Sequence, residues 1–123
     1  MNLRRWLPGL GWAALIVAGT SVPAPDVPQS PDGTDKVVHL LAYAILGWLL
    51  TRAAVAEWPQ RRPAVLAAAL VAAIGAFGAL DEIHQRFIPG RFADTADWLA
   101  DITGATLATV LTIAARSRRE PST

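Results

Sequence analysis

The sequence predicts an all-α fold: a bundle of four transmembrane helices, with a short polar region of helix ends and loop between the third and fourth. Three observations predict it. Four apolar runs recur along 123 residues, and 53% of the chain is hydrophobic. Nine prolines and nine glycines fall mostly between those runs, where turns belong. The charged residues, 17% of the chain, gather at the connections, whereas soluble helices would carry a polar stripe along their length. The length suits one domain, residues 1–123.

The first helix is expected over 3–21. Arg4 and Arg5 precede its apolar run, which is also how a signal peptide begins. The nearest small-x-small site is Val22-Pro23-Ala24, and Pro25 would block cleavage after it. Retention as a membrane span is therefore the reading, with Trp6 and Trp12 as interface anchors. Val22 to Gly33 carries Pro23, Pro25, Pro28 and Pro31 and reads as an extended loop. Thr34 or Asp35 is the expected cap of the next helix.

The second helix is expected over 37–56. Asp35, His39 and Tyr43 are spaced by four and share one face, and Gly47 continues the row as a close-approach surface. Trp58-Pro59 stops the helix, and Gln60-Arg61-Arg62-Pro63 makes a basic turn. The third helix, 64–85, is alanine-rich with Gly75 and Gly78, and ends in polar residues before Pro89-Gly90. Asp94 or Thr95 caps the fourth, 97–115, whose threonines can return hydrogen bonds to their own backbone. There, Asp97, Asp101, Gly104 and Ala108 fall on one face by helical spacing.

Charge orients the bundle. The termini and the second loop hold eight arginines against two glutamates, a net +6. The first and third loops with their helix ends hold three bases against eight acids, a net −5. Arginine-rich segments stay cytoplasmic, so both termini are expected inside and the acidic ends outside. The bilayer is the implied partner, and a whole-chain net charge of +1 argues against nucleic acid. The absence of cysteine excludes disulfides and thiolate metal sites.

The acidic ends carry the candidate chemistry. Asp81, Glu82 and His39 are the expected proton-transfer groups, since carboxylates beside an imidazole suit general acid and base work. Asp35, Tyr43, His84, Gln85, Arg86, Arg91, Asp97 and Asp101 are the expected ligand-binding groups. Arg86 and Arg91 would hold an anion, with Asp97 orienting Arg91. The plainer alternative is that these groups pair only with one another and fix the helix ends. No local spacing matches a metal motif, so no metal ligand is assigned and no cofactor is named. No serine or cysteine sits in a nucleophile context, and no phosphate-cradling glycine loop is present. Neither an oligomeric state nor a specific ligand is legible.

Three blocks carry a family resemblance: Asp35-Lys36-Val-Val-His39-Leu-Leu-Ala-Tyr43-Ala-Ile-Leu-Gly47, Asp81-Glu82-Ile-His84-Gln85-Arg-Phe87-Ile-Pro89-Gly90-Arg91, and Asp94-Thr-Ala-Asp97 through Asp101 and Gly104. In order and spacing across residues 35–108 the chain resembles the VanZ-like family of small bacterial integral membrane proteins. It departs from the pattern in carrying Asp101 where relatives often have asparagine, and Ala108 in place of a glycine. The family is named after a protein linked to resistance to the glycopeptide teicoplanin. The resemblance therefore implies a bacterial inner-membrane location and a role in the cell envelope or in antibiotic response. The expected function is binding or modifying an anionic, lipid-linked or cell-wall ligand. The alternatives are a non-enzymatic component that alters how compounds reach the envelope, and a small transporter.

Overall fold

The computed structural model describes residues 1–24 and 33–118. Most of the proline-rich loop, and Arg119 and Glu120 in the charge count, lie outside the described residues. Four helices follow in order: α1 (Leu3–Thr20), α2 (Thr34–Glu57), α3 (Pro63–Gln85) and α4 (Thr95–Ser117). Among the described residues there is no strand.

The helix starts follow from local chemistry. The Asn2 side chain accepts from the Arg4 amide and caps α1. Pro63 opens α3, where its missing N–H costs nothing. Asp94 caps α4 by accepting from the Ala96 amide at 2.8 Å, one of the two caps expected there. At α2 the structure departs from expectation. Gly33 is the cap, at φ +84°, with no side-chain bond, and its carbonyl accepts from Val37. A left-handed glycine turns the chain into the helix directly, so Thr34 and Asp35 join the first turn. There the Asp35 carboxylate faces the positive end of the helix dipole.

Consecutive helices run antiparallel. At one end, the Asn2 amide donates to Glu57, Arg5 to the Ala56 carbonyl and Arg116 to the Val55 carbonyl. Leu66 near the start of α3 packs there against Ala54. At the other end lie the C-termini of α1 and α3 and the N-termini of α2 and α4. Thus α1 runs the full height of the bundle, from Asn2 beside Glu57 to Thr20 beside Asp81.

α2 and α4 form the tightest pair. A Cβ on Gly47 would stand 2.8 Å from the Ala105 carbonyl oxygen, and one on Gly104 would collide with the Leu40 carbonyl. Glycine at these two positions lets the backbones touch. The seam on α4 is Asp101, Gly104, Ala105 and Thr109, all buried. Ala108, expected on this face, is only half-buried. The buried row continues from Asp101 through Ala105 to Thr109, whose hydroxyl meets the buried Thr51 hydroxyl at 3.1 Å.

The interior is small: Tyr43, Leu46, Ile74 and Ala105 make one cluster, and Ala54, Leu66 and Leu70 another. Large apolar side chains point outward instead, among them Leu41, Leu80, Leu107 and Leu111. Such an apolar exterior is stable against lipid. α2, α3 and α4 each have the length and composition to cross a membrane, so this is a multi-pass membrane protein that contacts the bilayer. α1 has 18 residues and carries Arg4 and Arg5 in its first turn, and it is not among those three. Its Trp12 is not a free interface anchor. The indole donates to the Ala42 carbonyl at 2.8 Å and joins α1 to α2. Trp6 packs against Trp58, with ring centroids 5.5 Å apart.

Candidate functional site

The acidic end gathers residues from every helix. α2 contributes Asp35, Lys36, His39 and Tyr43, α3 contributes Asp81, Glu82 and Gln85, and α4 contributes Asp97 and Asp101. α1 adds Thr20. At the centre, His39 Nδ1 lies 2.8 Å from Asp101 Oδ1, a hydrogen-bond distance. Its Nε2 is 3.9 Å from Asp97 Oδ2. One ligand-type atom each from His39, Glu82 and Asp101 lies within 4.8 Å of the other two. Glu82 and Asp101 are buried, at 6% and 1% exposure.

Above this centre is an ion-pair layer. The Lys36 ammonium reaches Asp94 and Asp97 at 2.9 Å each and Asp35 at 3.2 Å. That ammonium, and then the Ala96 amide, hold the Asp94 carboxyl below the usual carboxylate range. The Asp94 backbone amide in turn donates to Glu82 Oε2 at 2.9 Å, tying the loop to α3. On the flank, Gln85 Nε2 donates to Glu82 at 3.2 Å. Asp81 Oδ1 accepts from the Thr20 hydroxyl at 2.8 Å, so α1 closes this side.

One expected pairing is replaced by others. Asp97 faces Lys36 and His39 and does not orient Arg91. Arg91 instead donates to the Val22 carbonyl at 2.6 Å, to the Gly19 carbonyl at 3.3 Å and to Gln85 at 3.4 Å. The carbonyls at the C-terminal end of α1 are negative, which suits a guanidinium. Arg86 is exposed beyond the end of α3. His84 is half-exposed; its Nδ1 is 3.8 Å from Asp81, too far for a hydrogen bond. Asp35 is exposed and, among the described residues, pairs with Lys36.

Sequence reading grouped His39 and Glu82 as proton-transfer groups but placed Asp101 apart from them, among the ligand-binding groups. They come from three helices, so no local spacing could reveal the grouping. It paired Lys36 with Asp35 but did not see it as the hub that also holds Asp94 and Asp97, and it missed Thr20 on the flank. Lys36 is the lone lysine of the chain and stands among acids, which was the available signal. Tyr43 is 1% exposed, and its hydroxyl has no hydrogen-bond partner among the described residues.

The arrangement can hold or exchange a proton between an imidazole and buried carboxylates, and it offers mixed nitrogen and oxygen donors to a cation. No curated protein and no solved structure matches the chain. A family-level match does exist, and it covers the site and nearly the whole bundle. The chain belongs to the VanZ/LLP1 family, whose sequence model matches residues 6–116, from Trp6 near the start of α1 to Arg116 in the last turn of α4.

Proposed function

We propose that this protein acts at the outer face of the bacterial cytoplasmic membrane, binding or modifying the polar headgroup of an anionic envelope lipid or glycan precursor. The observation that carries the reading is the His39–Asp101 pair with Glu82 beside it, buried at the acidic end of an apolar bundle. Ionisable groups at such depth are costly, and a functional site is the default reason to keep them. His39 and Glu82 handle the proton, with Asp81 on the flank. The exposed Arg86, just beyond the end of α3, supplies positive charge for a phosphate or carboxylate.

α1 is taken as a fourth span. Its length of about 27 Å nearly matches the hydrocarbon core, and its two ends reach the two ends of the bundle. With four spans both termini lie on the arginine-rich, cytoplasmic side. A role in envelope or antibiotic response belongs to this reading and is supported by family membership.

The test compares envelope lipids and wall fragments by mass spectrometry in cells with the wild-type protein, with His39→Ala, and without the protein. A species that changes with the wild type and not with the variant, while both accumulate in membranes, supports the reading. No change in any species would exclude modification, and loss of the variant from the membrane would favour a purely structural pair.

A further inference from the structure

Glu82 and Asp101 pose an electrostatic problem that the protein's own cations do not solve. Both are buried, and each has a ligand-type oxygen within 4.8 Å of the other's. Buried like charges at such a spacing repel strongly. Lys36 is engaged by Asp35, Asp94 and Asp97. Arg91 is engaged by Gln85 and two carbonyls. His39 is the remaining basic group among them, and one imidazole faces both carboxylates and Asp97.

A second, independent observation comes from Tyr43. It lies one turn along α2 from His39, and its hydroxyl is buried without a partner. Its ring edge and Asp101 Oδ2 both lie 3.2 Å from the point where a Cβ on Gly78 would stand, so ring and carboxylate share one small space. A buried hydroxyl on a ring that packs beside the Asp101 carboxylate, with no partner among the described residues, has the place of a donor to a further group held there.

We propose that His39, Glu82 and Asp101 bind a divalent transition-metal ion. The donor set, one imidazole nitrogen and two carboxylate oxygens, suits ions such as Zn²⁺ or Mn²⁺ and leaves positions for water or a substrate oxygen. The 2.8 Å between His39 Nδ1 and Asp101 Oδ1 is close to the roughly 3 Å between neighbouring ligands of an ion with bonds of about 2.1 Å. The widest donor separation, within 4.8 Å, needs closure of about 1 Å. The Tyr43 hydroxyl bonds the outer sphere, as groups behind metal sites commonly do. The inference concerns the same site as the proposed function and does not depend on it.

The test uses the full chain purified in detergent, stripped with a chelator and titrated with ZnCl₂ and with MnCl₂. Direct metal analysis and thermal unfolding are the two readouts. The expected result is saturable uptake of a single ion per chain with a rise in unfolding temperature. Glu82→Gln and Asp101→Asn weaken uptake about tenfold or more. Glu57→Gln, at the opposite end of the bundle, leaves it unchanged. No saturable uptake of either ion by the wild type overturns the proposal, and so does unchanged uptake by Glu82→Gln. If both site variants fail to accumulate, the wild-type titration decides alone. An envelope-lipid effect without metal uptake sinks only this inference, and uptake without any lipid effect sinks only the proposed function.

Discussion

His39 and Asp101 stand 62 positions apart in the chain and 2.8 Å apart in space, joining α2 to α4 at the acidic end of the bundle. Removing one partner strands the other in a buried setting. Asp101→Ala is expected to cost about 3–5 kcal/mol of stability. Asp101→Asn keeps an acceptor for the imidazole N–H and is expected to cost less. Thermal unfolding in detergent measures both. Equal losses would show that the hydrogen bond contributes nothing apart from the charge.

The α2–α4 seam makes its own prediction. A methyl group at position 104 meets the Leu40 carbonyl and the Ala44 amide, which are backbone and cannot swing away. Gly104→Ala should therefore cost about 1–3 kcal/mol, as overpacking does. Gly19→Ala in α1 meets nothing within 4 Å and should be tolerated. If the two variants unfold at the same temperature, the close approach is not what holds the pair.

Lys36 carries a pH prediction through Asp94. The folded-state value of Asp94 is depressed, so its contribution to stability is present above the ordinary carboxylate value, about 3.9, and is lost as pH falls through the lower folded value. Lys36→Met removes the main cause of the depression. Without that depression Asp94 contributes little, so the variant should be less stable than the wild type near neutral pH and should lose less stability on acidification. Superimposable acid-unfolding curves would show that Lys36 does not hold these carboxylates.

Orientation can be read directly, because the chain has no cysteine of its own. Phe92→Cys, in the exposed loop before α4, should react with a membrane-impermeant maleimide added to intact cells. Arg61→Cys, in the basic turn, should react only after the membrane is opened. The reverse pattern would invert the bundle.

Much of the fold was legible because apolar runs and prolines leave little choice in a membrane. The helix ends fell within a few residues of expectation. The cap of α2 was missed because Gly33 works through its backbone torsion, while the reading looked for a side-chain acceptor. The site was legible as a set of residues at one end, through the charge they share. Its pairings were not. Whether Asp97 faces Lys36 or Arg91 depends on helix rotation and on the path of the loop through Pro89 and Gly90. Arg91 follows the carbonyls of α1, a partner that spacing within the third loop could not suggest.

The contact of backbones at Gly47 and Gly104 has a mechanical consequence. α2 and α4 behave as one fixed frame, and His39 and Asp101 both ride on it. Glu82 rides on α3, which meets α4 through Ile102 packed over Gly75 and the Trp98 indole bonded to the Gly75 carbonyl. The spacing within the pair is thus set by the frame, while the spacing to Glu82 is set by the seat of α3. Substitution of Ile102, which packs at Gly75 and away from the carboxylates, should therefore shift Glu82 against a pair that stays in place.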